Sequence, residues 1–75
     1  MFVMVAYLKF VRTQNGKTLT HSGNYTYRQP DKGWCMFAMQ VDIDDFTRGG
    51  WQLVEKTIKS TQNIVGGNNG RDTRL

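Results

Sequence analysis

The segment PDKGWCMFAMQVDI, Pro30 to Ile43, decides how the chain is read. Its first four residues have the chemistry of a hairpin loop: Pro30 presets φ, and Gly33 suits a left-handed position. Beyond the loop, Cys35, Phe37, Met39, Val41 and Ile43 form one alternating stripe. Trp34, Met36, Ala38, Gln40 and Asp42 form the other. Both stripes begin apolar, which is the pattern of a strand covered on its two faces. Read this way, Trp34 to Ile43 is a third strand.

Toward the N-terminus, residues 2 to 13 are rich in Val, Phe and Tyr and favour a strand. Gln14-Asn15-Gly16-Lys17 follows. Asn-Gly is a strong hairpin signal, because a type I′ turn needs positive φ at both central residues. Residues 18 to 28 supply the returning strand. A two-residue turn fixes the register, so Phe10 opposes His21, Leu8 opposes Gly23, Ala6 opposes Tyr25 and Met4 opposes Tyr27. This face is core-like. The other face pairs Val11 with Thr20, Lys9 with Ser22, Tyr7 with Asn24, Val5 with Thr26 and Val3 with Arg28, and is mixed. Continuing the register places Phe37 beside Thr26 on the wrong face, so either a bulge near Gly33 intervenes or the third strand pairs with the first.

Toward the C-terminus, Asp42 to Gly50 reads as a turn, with one helical turn as the alternative. Trp51, Val54, Ile58 and Val65 share a helical face, Glu55 and Lys59 make an i,i+4 pair, and Gly66-Gly67 suits a helix stop. A fourth strand over Trp51 to Val54 is the alternative. Residues 66–75, GGNNGRDTRL, have nothing to bury and read as a flexible tail. The expectation is an α+β domain over residues 1–65: an antiparallel sheet of three strands, or four, with one C-terminal helix packed on Phe10, Tyr25 and Tyr27.

With 75 residues the chain holds one domain, and domains this small are marginal unless stapled or assembled. One cysteine allows no disulfide within the chain, and one Cys with one His falls short of a four-ligand zinc site. No cofactor and no metal are expected. The formal net charge is +4, but the ten cations are scattered without a run, so the charge permits an acidic partner without specifying one. The apolar opening MFVMVAYLKFV lacks the basic region and cleavage site of a signal peptide and is too short for a membrane span. It is expected to be part of the fold, in a cytoplasmic setting.

Catalysis finds little support. His21 falls beside Phe10 on the core face, and Cys35 lies in an apolar run where a thiol behaves as a small hydrophobe. Asp42, Asp44 and Asp45 lack the acidic ladder and glycine of a calcium loop. The glycine-rich tail lacks the Lys-Ser/Thr that completes a P-loop. The expectation is therefore a non-enzymatic binding protein of regulator or inhibitor type, acting through a protein partner or a second copy of itself. The first strand is apolar on both faces, which makes Val3 and Val5 the candidate dimer edge. The alternative is a nucleic-acid-binding module using Tyr7, Lys9, Arg12, Lys17, Arg28 and Lys32. A three-stranded sheet followed by a helix is similar in architecture to the arm-type DNA-binding domains of some recombinases, although no motif is shared.

Overall fold

The computed structural model describes residues 1–64, so the glycine-rich segment 66–75 read as a tail lies outside the described residues. In chain order the elements are β1 (Phe2–Gln14), β2 (Lys17–Gln29), α1 (Lys32–Arg48) and β3 (Gln52–Asn63). The three strands form one antiparallel sheet in the order β2-β1-β3. The architecture is α+β, with α1 laid across one face of the sheet.

The hairpin follows from local chemistry. Asn15 and Gly16 take φ values of 53° and 75°, the two positive angles that a type I′ turn requires. Gln14 then closes against Lys17, and the ladder runs without a shift from that pair to Phe2 opposite Gln29. Phe10 stands opposite His21 and Met4 opposite Tyr27, in the register derived from the turn. Met4, Ala6, Leu8 and Phe10 are fully buried on the face that α1 covers.

The helix lies at 32–48, between β2 and β3, and the segment read as a C-terminal helix is a strand. Two local devices determine this. Asp31 adopts an extended backbone and its carboxylate accepts a hydrogen bond from the Trp34 N–H at 2.9 Å, so Pro30-Asp31 caps a helix and does not turn a hairpin. At the other end, Gly50 takes φ 89°, Gly50 N–H donates to Thr47 O at 3.1 Å, and Trp51 N–H donates to Phe46 O at 3.0 Å. This is a Schellman stop, completed by the edge-on contact of Trp51 with Phe46 at 6.3 Å. The diglycine therefore ends a helix.

The buried residues of α1 are Cys35, Met39 and Ile43. Their spacing of four is even, so a strand places them on one face, and it is also about one helical turn. Ala38 and Phe46, packed against the core from adjoining helical positions, match the helical period only. β3 conceals its own pattern with two register shifts against β1, one between Val5 and Ala6 and one between Lys9 and Phe10. Leu53, Lys56, Ile58 and Thr61 all pair with the covered row of β1, at intervals of three, two and three. The intervals of three imitate a helix.

The seam between β1 and β2 carries α1. Cys35 Sγ lies 3.5 Å from both the Phe2 and the Tyr27 carbonyl oxygens, one on each strand. Two residues before the other end, Phe46 stacks on Phe10 of β1 at 4.2 Å and on His21 of β2 at 5.0 Å. The side of β3 away from this seam is little covered, and Val54 and Ile58 remain exposed. No helix of the described residues is long and apolar enough to cross a membrane.

Candidate functional site

Among the described residues, two surfaces stand out once the core is assigned. The first is the sheet face opposite α1. Its central row is Val3, Val5, Tyr7, Lys9 and Val11, all half-buried by their neighbours. β2 flanks it with Arg28, Thr26, Asn24, Ser22 and Thr20, and β3 with Gln62, Ser60, Thr57, Glu55 and Gln52. Tyr7, Lys9 and Arg28 do share this face. Arg28 pairs with Val3, six residues along β1 from Lys9, so the two cations are separated by about 20 Å of strand. Glu55 stands opposite Lys9 on β3 and offsets its charge.

The other cations proposed from the sequence are elsewhere. Arg12 pairs with Leu19 and Lys17 with Gln14, which puts both on the helix-side face, beyond the end of the helix. Arg12 lies over the helix stop: a Cβ on Gly50 would come 3.6 Å from its Nε. A cation there suits the carbonyl-rich end of α1 and is accounted for by structure. Lys32 is the first residue of α1. The six residues are thus divided among three places, and among the described residues the face carries no continuous basic track. Val3 and Val5 are not at an edge either. β1 is the central strand, paired with β2 on one side and β3 on the other, so the apolar first strand is covered within the chain.

The second surface was not legible in the strand reading, which put Trp34 and Phe37 on opposite faces. In a helix they are three residues apart and side by side. Trp34 is 55% exposed and Phe37 60%, their rings edge to face at 5.7 Å, and Val41 extends the same stripe. Between this stripe and β2 runs an open groove lined by Tyr27, Gln29, Trp34, Phe37, Ala38, Val41 and Asp42. The cap at Asp31 is the sequence signal that leads to it, since a helix starting there leaves two aromatic rings in solvent.

The polar groups beneath this flank have partners. Tyr27 donates its hydroxyl proton to Asp42 Oδ2 at 2.7 Å, and the Tyr25 hydroxyl meets His21 Nε2 at 2.8 Å. Burial, and then the hydrogen bond to the Asp42 carboxylate, raise the Tyr27 pKa well above the ordinary 10.0. Burial followed by Asp42 raises that of Tyr25. The folded state holds these protons more tightly than the unfolded chain does. Their contribution to stability is therefore complete below pH 10 and is lost as the pH climbs through the folded values. Urea midpoints are expected to fall above pH 10, and Tyr27→Phe is expected to flatten that fall. A slope unchanged in Tyr27→Phe would show that Tyr27 is not its source.

These groups are arranged for structure. Cys35 sits by Phe2 and Tyr27, whereas His21 sits by Phe46 and Trp51 at the far end of the helix, so no thiol–imidazole pair forms. Asp42 serves Tyr27, Asp44 accepts from Gln40 Nε2 at 2.9 Å, and Asp45 pairs with Arg48. Among the described residues, no three His, Cys, Asp or Glu side chains converge as metal ligands. Compared with protein-family models, curated proteins and solved structures, the chain matches none.

Proposed function

We propose that this chain is a small non-enzymatic binding protein that acts by engaging a protein surface through the flank of α1. The observation that carries this reading is the pair Trp34 and Phe37, more than half exposed beside an apolar groove. Exposed aromatic residues clustered around a groove have the composition of interface hot spots. Leaving two such rings in water forgoes their burial, on the order of 1–2 kcal/mol for each. A partner that covers them recovers it.

The nucleic-acid reading draws on Tyr7, Lys9 and Arg28 on the opposite face. The separation of the two cations and the position of Glu55 weigh against it. The two readings make different demands on the same experiment. Tagged chain used to capture interactors from cell extract is expected to lose them on Trp34→Ser/Phe37→Ser. Capture should persist in Lys9→Glu/Arg28→Glu, after nuclease treatment, and at high salt, because apolar contacts are not screened. Loss in the Lys9/Arg28 variant, with retention in the Trp34/Phe37 variant, would reverse the assignment.

A further inference from the structure

From the groove and the strand beside it, we infer that the partner of this flank is a second copy of the chain, joined through β2 to β2 with α1 packed against α1. This inference rests on the binding reading above and specifies its occupant. Three observations carry it.

The first is a difference between the two edges of the sheet. β3 has two register shifts along its ladder, the kind of irregularity that protects an edge from further pairing. β2 has none over its thirteen residues, contains no proline, and bears charge only near its ends, at Lys17 and Arg28. In a two-residue hairpin the closing pair, Gln14 and Lys17, exchanges hydrogen bonds, so odd-numbered residues of β2 bond inward to β1. Thr18, Thr20, Ser22, Asn24, Thr26 and Arg28 consequently direct their N–H and C=O groups to the outer edge, where no further strand pairs among the described residues. That is an unblunted template for one more antiparallel strand.

The second observation is a distance. α1 lies over the seam of β1 and β2, as the contacts of Cys35 and Phe46 with both strands establish. Antiparallel addition of a second β2 about a two-fold axis then sets the two helix axes two strand spacings apart, about 9.5 Å. Packed helices are separated by about 8–10 Å. A second copy on the strand edge thus brings a helix to packing distance of the first. α1 meets β2 from His21, which stacks on Phe46, to Gln29 beside Trp34, so the axis falls near Tyr25.

The third is area. Trp34 and Phe37 at 55% and 60% exposure offer on the order of 100 Å² each, given roughly 150–250 Å² for a covered aromatic side chain. A stable interface takes about 800 Å² from each partner, so the stripe alone is too small. Strand edge and stripe together are contiguous and belong to one isologous surface.

Sedimentation equilibrium of the full chain over a wide concentration range tests this, with Thr26→Pro and Phe37→Lys beside the wild type. Proline at Thr26 removes an outward N–H that the monomer does not use, and edge strands tolerate it. Phe37→Lys sits on an exposed helix face and provides the test should the proline variant fold poorly. The expected result is a wild-type dimer, insensitive to salt, with both variants monomeric and the Lys9→Glu/Arg28→Glu variant still dimeric. A wild-type monomer at every concentration overturns the inference, as does a dimer that both variants leave intact. The capture experiment separates the two levels. A monomer that still captures a protein through Trp34 and Phe37 overturns the second copy alone. A monomer whose capture is indifferent to those residues overturns the binding reading as well.

Discussion

Met39→Asp is expected to leave the chain unfolded at neutral pH, whereas Phe37→Asp, two residues earlier, folds with a stability within about 0.5–1 kcal/mol of the wild type. Met39 is 1% exposed, in the middle of the helix face that packs on β1 and β2. A short carboxylate there cannot reach water and meets no cation. It must either stay charged in an apolar site or take up a proton, and both cost several kcal/mol. A chain of this length has roughly 4–11 kcal/mol of total stability to lose. Phe37 is 60% exposed, so its replacement costs only a change of helix propensity and its edge contact with Trp34. The comparison is made by circular dichroism and urea titration at dilutions where copies are separate. It also discriminates between secondary structures. In a strand, Phe37 and Met39 face the same way and the two variants would fail together.

Phe10→Ala is expected to remove about 3–5 kcal/mol, the usual cost of emptying a buried phenylalanine site. Phe10 is fully buried and stacked on Phe46 at 4.2 Å, with its ring near the interaction of Phe46 with His21 and Trp51. The loss therefore reaches beyond one cavity. Phe46 anchors the Schellman stop, and without Phe10 beneath it the ring keeps only His21 and Trp51 as aromatic neighbours. At about 4–8 °C per kcal/mol for a domain this small, the melting temperature should fall by more than about 12 °C. The fluorescence of Trp51 should shift to the red before that of Trp34, which is already solvated, changes at all. A cost below about 1 kcal/mol would mean that Phe46 closes the gap by itself.

The hairpin was legible residue by residue because its determinants are local. Asn15-Gly16 sets the turn, the turn sets the register, and the alternation of Met4, Ala6, Leu8 and Phe10 sets the covered face. The second half of the chain was read in the opposite order, with strand for helix and helix for strand. The reason lies in spacing. Cys35, Met39 and Ile43 recur every four residues, an interval that both periods satisfy, and the Asp31 cap with the Gly49-Gly50 stop selects the helix. The shifts in β3 depend on a ladder with β1 that sequence alone does not display. The candidate site inherits these outcomes. Tyr7, Lys9 and Arg28 share a face, as the hairpin register implied. The candidate edge at Val3 and Val5 gave way because β3, read as a helix, covers it.

The central position of β1 also sets an order of events as the chain is made. β1 can close on β2 through a two-residue turn as soon as both are available, a local step of low entropic cost. Its other side waits for β3, whose first pair joins Val11 to Gln52 and whose last joins Phe2 to Asn63, across the whole of α1. During that interval a nascent chain presents the valine-rich strand with one row of backbone groups open, a species prone to pairing with its neighbours. With α1 ended at Gly49-Gly50, closing the sheet depends on β3 reaching β1 before a neighbouring chain does. The stop at Gly49-Gly50, by turning the chain back along β1, is what lets the last strand close that open row.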